Sequence, residues 1–420
     1  MDLEIFKHQR HYNRDGRERL GAFLEFAGKP QCAYPVIQVT GTNGKGSVCA
    51  LLELMLRTAG YRTGLYTNPS LIDEDEMYRI NGKMRRFCQK DDVKEALTRD
   101  IQNFPVNTKA ITFTDYFYLQ AVYFFQQEAP DVAIFEANAG GYWDPGYTME
   151  PFVSVVTSVG EDHFDTFGDS VEAVAFEKSA VIRPNRPLIL GKMPPSCEAI
   201  LRREAAAKGA PVFSIRERFG EDLNNYPQSV LPGDYHRLNA AIAILTLECI
   251  QDRFPVTQTA IQYGLDHVFW PARWQRFPLS NGRLLLVDFT HNPEGIRAIE
   301  PQLQALYEGR GPVICFLSIF YEYRARVMVP MLAKYSKAFV FVQSSAEHFM
   351  TFDEFKTFIP KDFRGTVTQS TVEAVFPGIH QCALGDANDT ILLLGSPVGI
   401  IAPSVTRFFI SVDDMQELAD

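Results

Sequence analysis

The segment Val36-Ile-Gln-Val-Thr-Gly41-Thr42-Asn43-Gly44-Lys45-Gly46-Ser47 is where this sequence most plainly carries chemistry. A β-rich run enters a glycine-rich turn and leaves directly into a helical run over 48–59. Glycines let backbone N–H groups turn inward and approach phosphate oxygens, and the start of the following helix adds partial positive charge. Lys45 adds a point charge for β- and γ-phosphates. The segment departs from G-x-x-x-x-G-K-[ST]: Val39 stands where the first Gly would be, and Gly46 follows the lysine. A turn that merely closes a strand–helix unit is the alternative. The compact Gly-Lys-Gly-Ser core between strand and helix favours a nucleotide.

Three further positions combine reactive types with strand or helix ends. Glu136 ends an apolar run at the edge where α/β folds bind ligands, unless it is a salt-bridged strand end. His163 follows Asp162 at the end of another β-rich run. Lys178 lies in an apolar helical stretch, where the plainer reading is a surface pair with Glu177.

The elements that must position these residues alternate. Strands are expected at 36–40, 63–67, 132–136 and 152–158, with helices at about 45–59, 91–103, 114–128 and 169–180. The helix over 114–128 is apolar on most faces and is expected to be buried between layers. A strand–helix–strand stretch covers 187–213, and helices follow at 234–250 and near 256–264. The Pro- and Gly-bearing run 270–282 reads as a domain junction. Beyond it come strands 283–288, 313–318, 338–343, 365–369 and 390–394, with helices 293–307, 325–336 and 371–384. This predicts an α/β fold: a P-loop ATPase domain over 1–282 with a mostly parallel sheet, and a smaller Rossmann-like domain over 283–420.

Composition narrows the partners. The chain has 420 residues, with 41 Lys+Arg against 51 Asp+Glu, a formal charge of −10. Hydrophobic residues at 46% are enough for sizeable cores and exclude a disordered chain. The acidic balance argues against nucleic-acid binding, which needs clustered Lys and Arg. The seven cysteines (Cys32, Cys49, Cys88, Cys197, Cys249, Cys315, Cys382) include no Cys-x-x-Cys pair and read as free thiols, not a disulfide framework or zinc site. The first twenty residues are polar, unlike a signal peptide, and no run approaches the ~20 apolar residues of a membrane span. A cytoplasmic protein with no membrane partner is expected.

Gly41-Thr-Asn-Gly-Lys-Gly-Ser47 after a strand resembles the phosphate loop of the Mur ligase superfamily, and within it the folylpolyglutamate synthase/dihydrofolate synthase family. Other segments resemble that family in order and approximate spacing over nearly the whole chain. They are Thr63-Gly-Leu-Tyr-Thr-Asn-Pro69, Arg79-Ile-Asn-Gly82, Ile111-Thr-Phe-Thr-Asp115, and the Val132–Gly141 run with Trp143-Asp144. Thr157-Ser-Val-Gly-Glu-Asp-His163, Phe176-Glu-Lys-Ser-Ala-Val-Ile182, the 233–243 helix start, Pro271-Ala-Arg273 and Asp288-Phe-Thr-His-Asn-Pro293 complete the series.

The resemblance implies an ATP-dependent amide ligase that joins the amine of L-glutamate to a folate-type carboxylate through an acyl phosphate, working as a monomer. It implies ATP contacts at Thr42, Asn43, Gly44, Lys45, Gly46, Ser47, Asn239, Arg273 and Asp288. Asn239 could instead be a capping residue, and Arg273 and Asp288 an ion pair and a strand end. Mg²⁺ would be held by Glu136 and His163, with Asn68 where the family has Ser. A second Mg²⁺ site would use Lys178 carried as a carbamate. Lys45, Lys178 and His163 are the implied catalytic residues, and Arg79, Thr112, Phe113, Thr114, Asp115, Trp143 and Asp144 the implied substrate contacts.

Departures gather at the acceptor end. Thr67-Asn-Pro-Ser70 replaces Thr-Ser-Pro-His, and Gly140-Gly-Tyr-Trp-Asp144 replaces Gly-Gly-Arg-Leu-Asp, losing an arginine. Ile319-Phe-Tyr-Glu-Tyr-Arg324 lies where Lys-Asp-Lys-Asp is expected. Two alternatives follow: a ligase of the same family with a non-folate carboxylate acceptor, or a nucleotide-binding homologue without ligase activity.

Overall fold

The computed structural model describes residues 14–84, 91–105, 112–344 and 349–419. Their contacts divide the chain into two compact units. One takes in the described residues up to Asn68, Asp75–Val230 and His236–Val268. The other takes in Pro69–Glu74, Leu231–Tyr235 and the chain from Phe269 onward.

The first unit is built on eight strands: β1 (Val36–Thr40), β2 (Thr63–Tyr66), β3 (Tyr78–Ile80), β4 (Lys83–Met84), β5 (Val132–Glu136), β6 (Val153–Val156), β7 (Leu188–Leu190) and β8 (Val212–Ser214). Their order is β4-β3-β2-β5-β1-β6-β7-β8. All neighbours from β2 to β8 run parallel, and the β3 and β4 edge runs antiparallel. β1, β5 and β6 are buried at every residue. Near-continuous apolar runs such as VIQVT and VAIFE are what a strand covered on both faces requires. The chain places β5 on one side of β1 and β6 on the other, so the strand order reverses at β1. The carboxyl ends of β1, β5 and β6 therefore flank a switch point, the crevice where open α/β sheets bind ligands.

The helix Phe113–Glu128 is as buried as its composition suggested. Tyr118, Leu119, Val122, Phe124 and Phe125 share a core with Phe23, Tyr34, Tyr66, Tyr78 and Phe135. Its start is set by a reciprocal cap. Thr112 Oγ1 accepts from the Asp115 N–H at 3.2 Å, and Asp115 Oδ2 accepts from the Thr112 N–H at 2.8 Å.

The second unit has six strands: β9 (Gln275–Pro278), β10 (Leu284–Asp288), β11 (Val313–Ser318), β12 (Ser336–Val342), β13 (Thr366–Ser370) and β14 (Thr390–Gly395), in the order β13-β12-β11-β14-β10-β9. Only β9 is antiparallel, paired with β10. That pairing draws the run read as a junction into the second sheet, so this unit's main segment starts at Phe269 and not at Arg283.

The helix expected over 371–384 is only Val372–Val375. Pro377 disfavours helical geometry at the residue before it, and Phe376 leaves the helix at φ −117°, ψ 80°. Beyond β14, helical segments Pro397–Ile401, Ala402–Phe408 and Val412–Leu418 appear where the sequence patterning assigned nothing. Among the described residues, no helix is long and apolar enough to cross a membrane, and the six described cysteines are free. Cys88 lies outside the described residues.

Burial pushes the Asp115 carboxyl up to about 6, against the hydrogen bonds from Thr112. A carboxyl held above its unfolded value stabilises the fold most below that value, and the advantage is lost as pH rises through the folded one. The melting temperature of the wild type relative to Asp115→Asn should therefore fall between about pH 4 and about pH 6. A constant difference across that window would contradict a buried, cap-forming carboxyl.

Candidate active site

The phosphate loop owes its shape to two glycines and to a neighbouring loop. Gly41 has φ 148° and Gly44 has φ 86°, both in the region that side chains avoid. A Cβ on Gly41 would fall 1.9 Å from Thr157 Oγ1, and one on Gly44 would fall 2.3 Å from Asn239 Oδ1. The chain leaving β6 then grips the chain leaving β1. The Thr42 and Asn43 N–H groups donate to Ser158 O and Oγ, each at 2.9 Å. Thr157 Oγ1 donates to Asn43 O at 2.6 Å, and the Gly160 N–H donates to Thr42 Oγ1 at 3.1 Å. The helix Lys45–Thr58 starts directly from Gly44. Lys45 folds back over the loop, with Nζ 3.1 Å from Gly41 O. Ser47 is fully buried, and its Oγ has no partner among the described residues. Asn239 donates from Nδ2 to His236 Nδ1 at 3.2 Å while its oxygen lies against Gly44.

The helix Val171–Lys178 delivers two buried charges, which removes the surface-pair reading. Lys178 is 1% exposed and its Nζ donates to Ala139 O at 2.9 Å. Burial pushes this amine down to about 7. Lys45 acts in the same sense, and Asp162, Asp144 and Glu177 oppose it. Lys45, Lys178 and Asp162 are thus within electrostatic reach of one another. Glu177 is pushed up to about 7 by burial, against the Trp143 N–H at 2.7 Å and the charge of Arg17.

Asp144, expected to contact substrate, is 2% exposed. Its oxygens accept from the N–H groups of Gly140 at 3.1 Å and Gly146 at 2.8 Å. Its carboxylate therefore staples the loop after β5. Arg17, which sequence reasoning passed over, lies 5.1–5.7 Å from the ring centres of Tyr142, Trp143 and Tyr147 on that loop. These distances suit cation–π attraction.

The residues expected to hold a cation come from the chain at the ends of β2, β5 and β6. Glu136 ends β5 opposite Val39 of β1. Cys49, whose thiol burial pushes well up, senses both the Glu136 and the Lys45 charge. His163 follows β6 with φ 53°. Its N–H donates to Asp162 Oδ1 at 3.0 Å, and its Nε2 stands 4.0 Å from Asp162 Oδ2. Asn68 follows β2 and donates from Nδ2 to Met77 Sδ at 3.5 Å, a contact that does not use its carbonyl oxygen. Among the described residues, no three His, Cys, Asp or Glu side chains form a metal-holding group. Mg²⁺ tolerates this, because it commonly takes one or two carboxylates and completes its shell with water and substrate phosphates. The Glu136 carboxylate at the end of β5 and the Ser47 hydroxyl, unpartnered among the described residues, fit that manner of binding.

Other expected contacts have local partners. Thr112, Thr114 and Asp115 form the cap of the helix Phe113–Glu128, with Thr112 Oγ1 2.9 Å from Thr114 Oγ1. The Phe113 side chain lies outside the described residues. Arg79 donates from Nε to Glu76 O at 3.3 Å. In the second unit, the buried Asp288 accepts from the Trp274 N–H at 2.8 Å and the Thr290 N–H at 2.9 Å. Arg273 stacks over Phe289 at 4.9 Å, and its charge opposes the upward push that burial exerts on Asp288.

Comparison with known proteins agrees with this geometry. Residues 39–216 match the Mur ligase middle domain. Folylpolyglutamate synthase of Lacticaseibacillus casei is 28% identical over 329 residues, covering 73% of this chain and 76% of that protein. Escherichia coli FolC, solved with DHPP and ADP, superposes with a TM-score of 0.77 at 24% identity, over 95% of this chain and 93% of its own. The Yersinia pestis folylpolyglutamate synthase/dihydrofolate synthase, solved with AMPPNP and a Mn ion, gives 0.76 at 22% identity, over 96% and 95%.

The loop grip yields a direct test. Gly41→Ala places a methyl group on Thr157 at a backbone angle that costs about 1–3 kcal/mol, so ADP affinity should fall about 10- to 100-fold in calorimetric titration. Unchanged ADP affinity in a folded Gly41→Ala protein would contradict the assignment of this loop.

Proposed function

The chain belongs to the folylpolyglutamate synthase/dihydrofolate synthase family, and on that premise we propose that it is an ATP-dependent ligase joining L-glutamate to a folate-type carboxylate. The observation that carries the reading is the buried Lys178 within electrostatic reach of Lys45 at the phosphate loop. A glycine-rich loop that merely closed a turn would not need a second, buried amine beside it.

The chemistry follows from the weakness of a carboxylate as an electrophile. An acceptor carboxylate oxygen attacks the γ-phosphorus of ATP, the bond to the β-phosphate oxygen breaks, and ADP leaves. The resulting acyl phosphate is attacked at carbon by the glutamate amine. The amine loses a proton and phosphate departs, leaving an amide. Phosphoryl transfer asks mainly for positioning and charge neutralisation. The amides of Gly44–Ser47 and the Lys45 ammonium supply both, while the Thr42 and Asn43 amides hold the loop to Ser158. Glu136, His163 and Asn68 would hold the divalent cation, which when bound neutralises phosphate charge. The Mn ion of the Yersinia pestis structure and the DHPP of the Escherichia coli structure support the cation and the folate-type acceptor.

Lys178 enters as a carbamate in this reading. Its Nζ lone pair attacks CO₂, a C–N bond forms and a proton is released. The product is an anionic oxygen ligand where an ammonium would repel Lys45. Burial that favours the neutral amine favours this reaction. With ¹³C-bicarbonate, the wild type should show a protein-bound carbamate carbon resonance that is missing in Lys178→Ala. A wild type without that resonance would overturn the modification.

Acceptor identity is read by ADP release with Mg²⁺, ATP and glutamate, using dihydropteroate and then tetrahydrofolate. Turnover with at least one is expected. ADP release with neither, while ATP still binds, would overturn the folate reading and leave a different carboxylate acceptor. The replacement of a loop arginine by Tyr142 and Trp143, with Arg17 against them, is the feature that outcome would implicate.

A further inference from the structure

Asn138 has no role in anything above, yet it stands between two residues that do. It follows Glu136 by two positions where β5 leaves the sheet, and it precedes Ala139, whose carbonyl receives Lys178 Nζ at 2.9 Å. Its backbone N–H is held by the Asp144 carboxylate, so the peptide is anchored. Its side-chain Oδ1 is shielded from solvent and accepts no hydrogen bond among the described residues. Leaving a buried amide oxygen unpaired costs about 1–3 kcal/mol, and folded proteins reserve such atoms for water, ions or ligands.

The neighbourhood points to which of these it serves. Thr40 ends β1, next to β5, and its buried Oγ1 also lacks a partner. A Cβ on Gly140 would fall 2.1 Å from that hydroxyl and 3.5 Å from Lys178 Nζ. Two unsatisfied neutral oxygens, from Thr40 and Asn138, thus flank the short stretch that links Glu136 to the Lys178 contact. Neutral oxygens near the Glu136 carboxylate suit a hard cation that retains several waters, the Asp144 carboxylate being taken up by the backbone N–H groups of Asn138, Gly140 and Gly146. The Asn138 oxygen suits an anionic phosphate oxygen poorly, because an amide oxygen only accepts hydrogen bonds.

We infer that Asn138 orients water bound to the divalent cation, its Oδ1 accepting a hydrogen bond from that water. The inference rests on the cation reading proposed above, and it adds a positioning residue to that site. Outer partners of this kind typically change metal affinity by about 10- to 100-fold.

The test is Mn²⁺ binding to the full chain with ADP, followed by the free-ion paramagnetic resonance signal, so no turnover is needed. Asn138→Ala should weaken Mn²⁺ about tenfold while leaving ADP affinity in EDTA unchanged, and Asn138→Asp should restore or tighten it. Mn²⁺ affinity of Asn138→Ala within about twofold of wild type would overturn the inference alone. Should the alanine variant fail to fold, Asn138→Ser is read by the same criterion. A wild type that takes up no Mn²⁺ with ADP would overturn the cation reading as well, which separates the two failures.

Discussion

The parallel pairing of β1 with β6 places two loops side by side, and the hydrogen bonds between them are the constraint on which the site depends. Thr157, Ser158 and Gly160 hold Thr42 and Asn43 in one conformation, and only glycine fits where Thr157 approaches. Interior packing alone would leave this loop free to take any conformation compatible with a strand–helix turn. The grip selects one. It also fixes where the helix Lys45–Thr58 begins, hence where its positive end and Lys45 point. The neighbouring strand β5 then brings Glu136 to the same edge.

A second layer of constraint comes from charge. A lone ammonium without compensation in a protein interior is costly, and such groups shift toward neutrality instead. Lys178 shows that response, pushed down to about 7. Glu177, its neighbour, is pushed up to about 7 by the same cause. Residues at i and i+1 diverge on a helix, so the two reach different parts of the loop after β5. Lys178 holds Ala139 at one end, and Glu177 holds Trp143 at the other. One short helix thereby carries the amine and positions the aromatic loop that bears Tyr142 and Trp143.

Much of this was legible from residue order. The strand–loop–helix at 36–58 was readable because glycine spacing, a lysine and the switch from period two to a helical pattern leave few alternatives. Burial of the helix Phe113–Glu128 was readable because it offers no polar face. The staple role of Asp144 was not legible, because its partners are backbone amides whose positions depend on the fold. Thr157, Ser158 and Arg17 were equally hidden, since their partners lie more than a hundred residues away in the chain. The start of the second unit was missed because Gln275–Pro278 contains a proline, and it forms a strand only by lying at the sheet edge against β10. A long helix over 371–384 was expected on apolar spacing, and Pro377 overrode it.

The account stands on an acyl phosphate formed at this loop, and oxygen transfer tests that most directly. Dihydropteroate labelled with ¹⁸O in its carboxylate should hand one labelled oxygen to each phosphate released as glutamate is joined. Phosphate released without label, in step with amide formation, would contradict the central claim.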